Sequence, residues 1–197
     1  MEQERPRSLL LLRHAPAAQY KVDAQRPLTN SGRLLAARAG KRNRVCQDTQ
    51  IFCSPTTRSV ETAKFLVGSD HIEPIIVPEL LLGPGEIHLA GLLRLFETSG
   101  YDASYQTWEK NPHFEALRRL GTDLVEYFRR QFTWGWWPTD SVVVGHMSSV
   151  AFLAHHWRAH YWDDKIIPEC AGVNVGWNRG NNEFSKPDCV EAIFRPI

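Results

Sequence analysis

Three short apolar runs in this sequence end at side chains that could act on a phosphoryl group. Arg13 and His14 stand at the end of the first run. Arg58 lies about one helical turn beyond the second, and His146 directly follows the third. The runs are residues 8–13 (SLLLLR), 49–53 (TQIFC) and 141–145 (SVVVG). Arginine binds phosphoryl oxygens through two hydrogen bonds, and histidine can attack phosphorus or donate to its oxygens, so this pattern favours phosphoryl chemistry.

The three runs have the length and composition of buried β-strands. Helical spacing returns between them, with predicted caps at Asn30 or Ser31, Thr56 or Thr57, and Ser148 or Ser149, and further helices over 87–96 and 114–132. Residues 72–77 predict a third strand, irregular or at an edge because of Pro74, and weaker strands lie near 173–177 and 190–194. The alternation predicts an α/β fold, a three-layer sandwich whose mostly parallel central sheet has helices on both faces. Active sites of such sheets lie at the carboxyl ends of strands, where the polar side chains would converge.

The composition indicates one domain over residues 1–197. The chain has 197 residues, 43% of them hydrophobic, enough to bury a core without disulfides. The 23 basic and 22 acidic residues give a net charge of +1, which argues against a nucleic-acid or anionic-membrane partner. No apolar run approaches the roughly 18 residues that span a bilayer. Four scattered cysteines without a CxxC pair fit a reduced, cytoplasmic protein.

These same residues carry a resemblance to a known family. The sequence resembles the histidine phosphatase, or phosphoglycerate mutase-like, superfamily, and in motif it is most similar to the small bacterial phosphohistidine phosphatases. The matching segments are LLRHA (11–15), RPLTNSG (26–32), SPTTRSVETA (54–63), PELLLGPGE (78–86) and VVGHMSSV (143–150). They keep the family's order from about residue 9 to residue 155.

The resemblance implies a two-step reaction that needs no metal and no cofactor. His14 would attack the phosphoryl group to form a phosphohistidine, which water then hydrolyses. Arg13, Arg58 and His146 would hold the phosphoryl oxygens, with a backbone N–H near Met147 as a further donor. The nucleophilic imidazole must be neutral, and the two arginines favour this by lowering its pKa. A backbone carbonyl is expected to fix its tautomer.

The leaving oxygen needs a proton from a general acid. Glu79 is the first candidate because it directly follows the predicted third strand. Glu86 is the second, since its glycine-rich segment could fold it back, and Asp23 is the third. The expected substrate is a phosphorylated small molecule or a phosphoprotein, and the sequence does not indicate an oligomeric state.

Two other functions stay open. One is a phosphotransferase or mutase acting on a small phosphorylated metabolite, and the other is a phosphate-binding domain without turnover. The mutase-like branch carries Glu or Thr and then Asn shortly after the Arg-His pair, whereas this chain has PAAQ at 16–19. That departure weakens the mutase hypothesis.

An aromatic segment distinguishes this chain from the smallest relatives. We predict an insertion near 99–112 that holds Tyr101, Tyr105 and Trp108, with more tryptophans at 134–137. These rings either cover the pocket and select a substrate with an apolar or sugar-like portion, or they pack a small satellite core.

Three histidines lie near the end of the last predicted helix. His156 and His160 are four residues apart, the spacing of two zinc ligands on one helical face. No glutamate stands between them as in HExxH, and the sequence shows no fourth ligand. We therefore predict no metal site at His155, His156 and His160.

Overall fold

One mixed sheet forms the centre of the molecule. The structure is a computed structural model that describes residues 7–19, 23–69, 71–81, 89–133, 140–178, 183–184 and 186–194. The strands are β1 (Arg7–Arg13), β2 (Gln50–Cys53), β3 (Ile75–Ile76), β4 (Asp140–Gly145), β5 (Gly172–Trp177) and β6 (Cys189–Ile193). Their order is β3-β2-β4-β1-β5-β6, with β3, β2, β4 and β1 parallel and β5 and β6 antiparallel. The predicted mostly parallel α/β sheet is confirmed.

Helices cover both faces of this sheet. They are α1 (Asn30–Arg42), α2 (Thr57–Val67), α3 (Leu89–Ser99), α4 (Tyr105–Glu109), α5 (Phe114–Thr133) and α6 (Met147–His156). Successive residues of a strand face opposite sides, so Leu9 and Leu11 of β1 join the core with α5 and α6. Leu10 and Leu12 join the opposite core with α1 and α2. The sheet is therefore buried on both faces, as the unbroken apolar runs predict.

The third strand and two helix caps differ from the predictions. Only Ile75–Ile76 is extended, at the edge of the sheet, because Pro74 lacks an N–H for a longer ladder. Thr29, not Asn30 or Ser31, caps α1, and its Oγ1 accepts from Gly32 N at 2.9 Å. His146, not Ser148 or Ser149, is the N-cap of α6. A predicted functional side chain therefore also begins the helix.

The segment 99–112 contains a short helix that the aperiodic sequence did not predict. Ser104 caps α4, and Tyr105 and Trp108 are buried in the core beside α5 and α6, whereas Tyr101 is exposed. Two of the three rings thus belong to the main core on one face of the sheet, and not to a separate satellite core. The tryptophans at 134–137 lie outside the described residues, and the insertion itself stays a prediction.

No described helix is both long enough and apolar enough to cross a membrane.

Candidate functional site

The two predicted histidines meet where β1 and β4 end. The backbone N–H of His14 donates to Gly145 O at 2.9 Å, which continues the parallel ladder by one residue. Cys53 of β2 lies opposite Val144 of β4, and Arg13 of β1 lies opposite Gly145, so the three strands end within one residue of each other. The ring centroids of His14 and His146 are 5.1 Å apart and the rings meet edge-to-face. The expected convergence at the strand ends is therefore what the sheet order produces.

Both ring nitrogens of His14 have a partner. Nδ1 lies 2.8 Å from Ala15 O, and Arg58 Nε donates to Nε2 at 3.2 Å. A carbonyl only accepts and a guanidinium only donates, so His14 is a neutral imidazole with a proton on Nδ1 and a lone pair on Nε2. Burial, the neighbouring His146 and then Arg58 and Arg13 lower the pKa of His14 well below its usual 6.5. The site therefore keeps Nε2 of His14 unprotonated, as a nucleophile would require.

His146 is held by hydroxyl groups on one side and by Arg58 on the other. Its Nε2 lies 2.8 Å from Ser54 Oγ, and its Nδ1 lies 3.4 Å from Arg58 Nη2. Ser54 Oγ in turn donates to Ser59 Oγ at 2.9 Å and lies 3.1 Å from Thr56 Oγ1. Because all three hydroxyls are fully buried, this chain fixes the orientation of the His146 ring. Arg58 bridges the two imidazoles.

Arg13 is fixed by two separate parts of the chain, the segment 167–171 and Asp102. Its backbone N–H donates to Ala171 O, and its carbonyl accepts from Cys170 N, both at 3.0 Å. Its Nη1 donates to Ile167 O at 2.9 Å and its Nη2 to Asp102 Oδ1 at 2.7 Å. Its Nε is buried and has no hydrogen-bond partner among the residues that the structure describes. The Nε–H of Arg13 is thus left for a further acceptor.

The loop after His14 is clamped between α1 and α2. Ala15 N donates to Thr62 Oγ1 at 3.0 Å, and the same hydroxyl donates to Arg58 O at 2.6 Å. A Cβ at Gly32 would overlap the carbonyl oxygen of Pro16, so only glycine lets α1 approach this closely. These contacts hold His14 and Arg58 at a fixed separation.

Arg26, in the segment 26–32 that matches the family, braces the same loop. Its Nε donates to Ala18 O at 2.9 Å. This contact gives Arg26 a structural role, so its presence does not require a contact with substrate.

The structure does not bring the first acid candidate into contact with the imidazoles. Glu79 lies in a 3₁₀ turn, Pro78–Leu80, with an exposed side chain, and no described residue donates a hydrogen bond to its carboxylate. The adjacent Leu80 is fully buried, and its side chain would touch a Cβ placed on Gly145, next to His146. Burial and the charge of Glu79 raise the pKa of Tyr127. Glu79 therefore lies past the carboxyl end of β3, with its side chain in solvent.

Of the two other acid candidates, the structure describes one. Glu86 lies outside the described residues, and Asp23 begins the 3₁₀ turn Asp23–Gln25. Met147 is the first residue of α6, so its N–H belongs to the first turn of a helix whose cap is His146.

Sequence reasoning missed the groups that orient the site. Ser54 and Ser59 lie within the family-like motif 54–63, and this was the one signal for them. Asp102 had no signal, because its contact with Arg13 joins parts of the chain 89 residues apart.

Comparison with known structures agrees with this architecture. A protein of Escherichia coli assigned as an alpha-ribazole-5′-P phosphatase is 18% identical, with a TM-score of 0.61 over 95% of this chain and 96% of its own. Phosphoglycerate mutase from Bacillus anthracis is 12% identical, with a TM-score of 0.58 over 97% and 94% of the two chains. The protein histidine phosphatase SixA, solved with tungstate, is 14% identical, with a TM-score of 0.55 over 95% and 97%. At these identities the likeness establishes the phosphoglycerate mutase-like fold.

A search of curated protein sequences finds no match. The family model of the histidine phosphatase superfamily (branch 1) matches residues 9–186. This match spans nearly all of the chain and includes every element that positions the two histidines and two arginines. The protein therefore belongs to branch 1 of the histidine phosphatase superfamily.

Proposed function

We propose that this protein is a phosphatase that hydrolyses a phosphomonoester or a phosphoramidate through a phosphohistidine on His14, without a metal. One observation carries the proposal. His14 Nδ1 is held by Ala15 O, so the lone pair of Nε2 faces Arg58. Such an imidazole is ready to attack an electrophile that two arginines bind.

In the first step, the phosphoryl oxygens would take the hydrogen bond that Arg58 Nε donates to Nε2. The Nε2 lone pair then forms a bond to phosphorus as the bond to the leaving oxygen or nitrogen breaks. The ring becomes cationic, and its Nδ1–H stays on Ala15 O, which stabilises that charge. Arg58, His146 and the Nε–H of Arg13 would donate hydrogen bonds to the three phosphoryl oxygens.

In the second step, water attacks phosphorus and the N–P bond breaks, which restores the neutral imidazole and releases inorganic phosphate. A carboxyl group would protonate the leaving oxygen in the first step and accept a proton from water in the second. Glu79 is our candidate for both transfers, since it precedes Leu80, which packs beside the residue before His146. A movement of the turn Pro78–Leu80 would bring its carboxyl to the leaving group.

The substrate that we propose is a phosphorylated small molecule or a phosphoprotein, because two arginines and a histidine match the charge of a phosphate dianion. We also propose a reducing, cytoplasmic compartment, because Cys46, Cys53 and Cys189 form no disulfide.

The test is hydrolysis of p-nitrophenyl phosphate in EDTA by the wild type, His14→Ala and His71→Ala. His71 is an exposed histidine outside the site and serves as the matched control. We expect turnover in EDTA, unchanged in His71→Ala and reduced at least about 10³-fold in His14→Ala. Intact-protein mass spectrometry after an acid-free quench would detect the phosphohistidine in the wild type and in His71→Ala, but not in His14→Ala.

Three results would change the assignment. Activity that survives His14→Ala would exclude the covalent mechanism. A phosphohistidine that persists without turnover would indicate a phosphate-binding domain. Passage of the phosphoryl group to a second metabolite in preference to water would indicate a mutase.

Glu79→Gln separates the acid from the nucleophile. p-Nitrophenolate leaves without protonation, whereas an alkyl alkoxide does not. We expect Glu79→Gln to slow an alkyl phosphate at least about tenfold more than p-nitrophenyl phosphate. Equal effects on both substrates would assign the acid to another residue, with Glu86→Gln as the next variant.

A further inference from the structure

Two histidines and an aspartate meet beyond the end of α6, at a place that the proposed reaction does not use. His155 is in the last turn of α6, His160 begins the 3₁₀ turn His160–Trp162, and Asp163 follows that turn. His155 Nδ1 lies 3.1 Å from one carboxylate oxygen of Asp163, and His160 Nδ1 lies 2.9 Å from the other. One ligand atom from each residue lies within 4.8 Å of the other two. We name this group the His155 cluster.

The His155 cluster is not the pair that the sequence suggested. His156 is turned away, with its ring stacked on Phe184 at 6.2 Å. His155 takes its place beside His160, and Asp163 supplies the acidic ligand that sequence spacing did not reveal. The prediction that this region lacks a metal site rested on the absence of such a ligand.

The spacing of the ligand atoms suits a small divalent ion. Zn²⁺ lies about 2.0–2.2 Å from imidazole nitrogen and carboxylate oxygen, so two tetrahedral ligands lie about 3.3–3.6 Å apart. The two imidazole nitrogens lie 3.1 and 2.9 Å from different oxygens of Asp163, and one ligand atom from each of the three residues lies within 4.8 Å of the others. Rotation of the side chains would bring the three ligand atoms to the tetrahedral spacing. Imidazole together with carboxylate favours ions such as Zn²⁺, Ni²⁺ or Cu²⁺ over Mg²⁺ or Ca²⁺.

Supporting contacts hold two of the three ligands in place before any ion binds. The ring of His155 stacks on Tyr105 with centroids 3.9 Å apart and only 12° between the planes. Gln106 N donates to the backbone carbonyl of Asp163 at 2.8 Å. The Asp163 side chain is 18% exposed and that of His160 is 68% exposed, so water can reach the remaining coordination positions. Ligands already oriented by neighbours lose less entropy on metal binding.

We propose that His155, His160 and Asp163 bind one divalent transition-metal ion, with Zn²⁺ as the best fit, and that water completes its coordination. Nδ1 of each imidazole would be a ligand, so the proton that it now shares with Asp163 must leave. In a neutral imidazole the ring takes up a proton from water at Nε2 as it loses the one at Nδ1, so metal binding releases no net proton. The ion would tie the end of α6 to the turn that follows it and so stabilise the fold.

The test is titration of EDTA-treated, desalted protein with Zn²⁺ by calorimetry and with Co²⁺ by visible absorption. The variants are His160→Ala and Asp163→Asn, with His71→Ala as the matched control. We expect one equivalent of metal in the wild type and the control, and an affinity at least about tenfold lower in both cluster variants. Excess Zn²⁺ should raise the melting temperature of the wild type and not that of His160→Ala.

The exposed thiols need their own control, because Cys46 and Cys189 could bind the same ions. A Co²⁺ spectrum without a thiolate charge-transfer band, unchanged in Cys46→Ser, would support the His155 cluster. Metal binding that survives His160→Ala, or no saturable binding at all, would overturn the proposal and leave a hydrogen-bonded His-Asp-His group. Hydrolysis of p-nitrophenyl phosphate in EDTA is independent of either result.

Discussion

The carboxylate of Asp102 accepts a hydrogen bond from Arg13 Nη2 at 2.7 Å, although the side chain of Arg13 is 10% exposed and that of Asp102 is 62% exposed. An anion from the segment between α3 and α4 thus already sits on a guanidinium that we assign to the phosphoryl group. Arg13 Nη1 is held independently by Ile167 O at 2.9 Å. Because Ile167 O also holds Arg13, Asp102 is not its sole support. We propose that the Asp102 carboxylate competes with a bound phosphoryl group for the charge of Arg13.

Asp102→Asn is expected to strengthen the binding of a phosphate dianion. The amide oxygen of Asn can still accept from Arg13, but the repulsion between the carboxylate and the dianion is gone. We expect the inhibition constant for inorganic phosphate to fall about two- to tenfold. Steady-state inhibition at constant ionic strength measures it. A higher inhibition constant would show that the carboxylate positions Arg13 and does not compete for it.

Ser54→Ala is expected to lower both stability and turnover. Ser54 Oγ is buried between His146 Nε2 and Ser59 Oγ, so its loss removes one hydrogen bond from each. Thr56 Oγ1 remains, 3.5 Å from His146 Nε2 and 3.1 Å from Ser59 Oγ. The loss of these buried hydrogen bonds costs about 1–3 kcal/mol of unfolding free energy. Because the His146 ring is then less well oriented, kcat should fall about tenfold or more. Urea denaturation and steady-state kinetics measure the two effects.

Ser141→Ala is the matched control. Ser141 is buried in β4, and its Oγ has no hydrogen-bond partner within the described part of the chain. Its removal should change stability by no more than about 0.5 kcal/mol and leave kcat unchanged. Equal losses in the two serine variants would refute a specific role for the Ser54 hydroxyl.

His14 should stay neutral at a pH where an ordinary histidine is protonated. Burial, His146 and the two arginines lower its folded-state pKa, whereas the unfolded chain keeps about 6.5. Between these two values the unfolded state binds more protons, so the contribution of His14 makes the folded state less stable as pH falls below 6.5. NMR titration of the ring carbon Cε1, assigned with His14→Asn, measures the shift. A midpoint at or above 6.5 would contradict it.

Gly32→Ala is expected to destabilise the protein and reduce its activity together. Alanine favours a helix by up to about 1 kcal/mol over glycine. Here its Cβ overlaps Pro16 O, and overpacking against backbone costs about 1–3 kcal/mol. The loop after His14 must move, so we expect a lower melting temperature and a lower kcat/KM. The control is Arg38→Ala, at an exposed position of the same helix, which should change neither the melting temperature nor kcat/KM. If Gly32→Ala changed neither quantity, the close approach of Gly32 to Pro16 would be excluded.

Local sequence features predicted most of the elements and the ends of the key strands. The run 8–13 is confirmed as β1, Arg7–Arg13, because an apolar segment bounded by Pro16 has few alternatives. Gly68 ends α2 in the left-handed conformation that glycine adopts most readily. In the same way, Pro16 after the first run and Gly145 at the end of the third predicted that His14 and His146 lie just past their strands. In contrast, α4 and the short β3 have weak local signals, and packing decides them.

The sequence by itself therefore determined that His14, Arg58 and His146 come after three strands of one mostly parallel sheet. Tertiary structure alone decided that β1 lies beside β4, where the backbone N–H of His14 donates to Gly145 O at 2.9 Å. It also placed Asp102 on Arg13, Ser54 on His146, and Asp163 between His155 and His160. Periodicity reports which face of an element is buried, but not which distant element will cover it. Those pairings follow from how the whole chain fills its core.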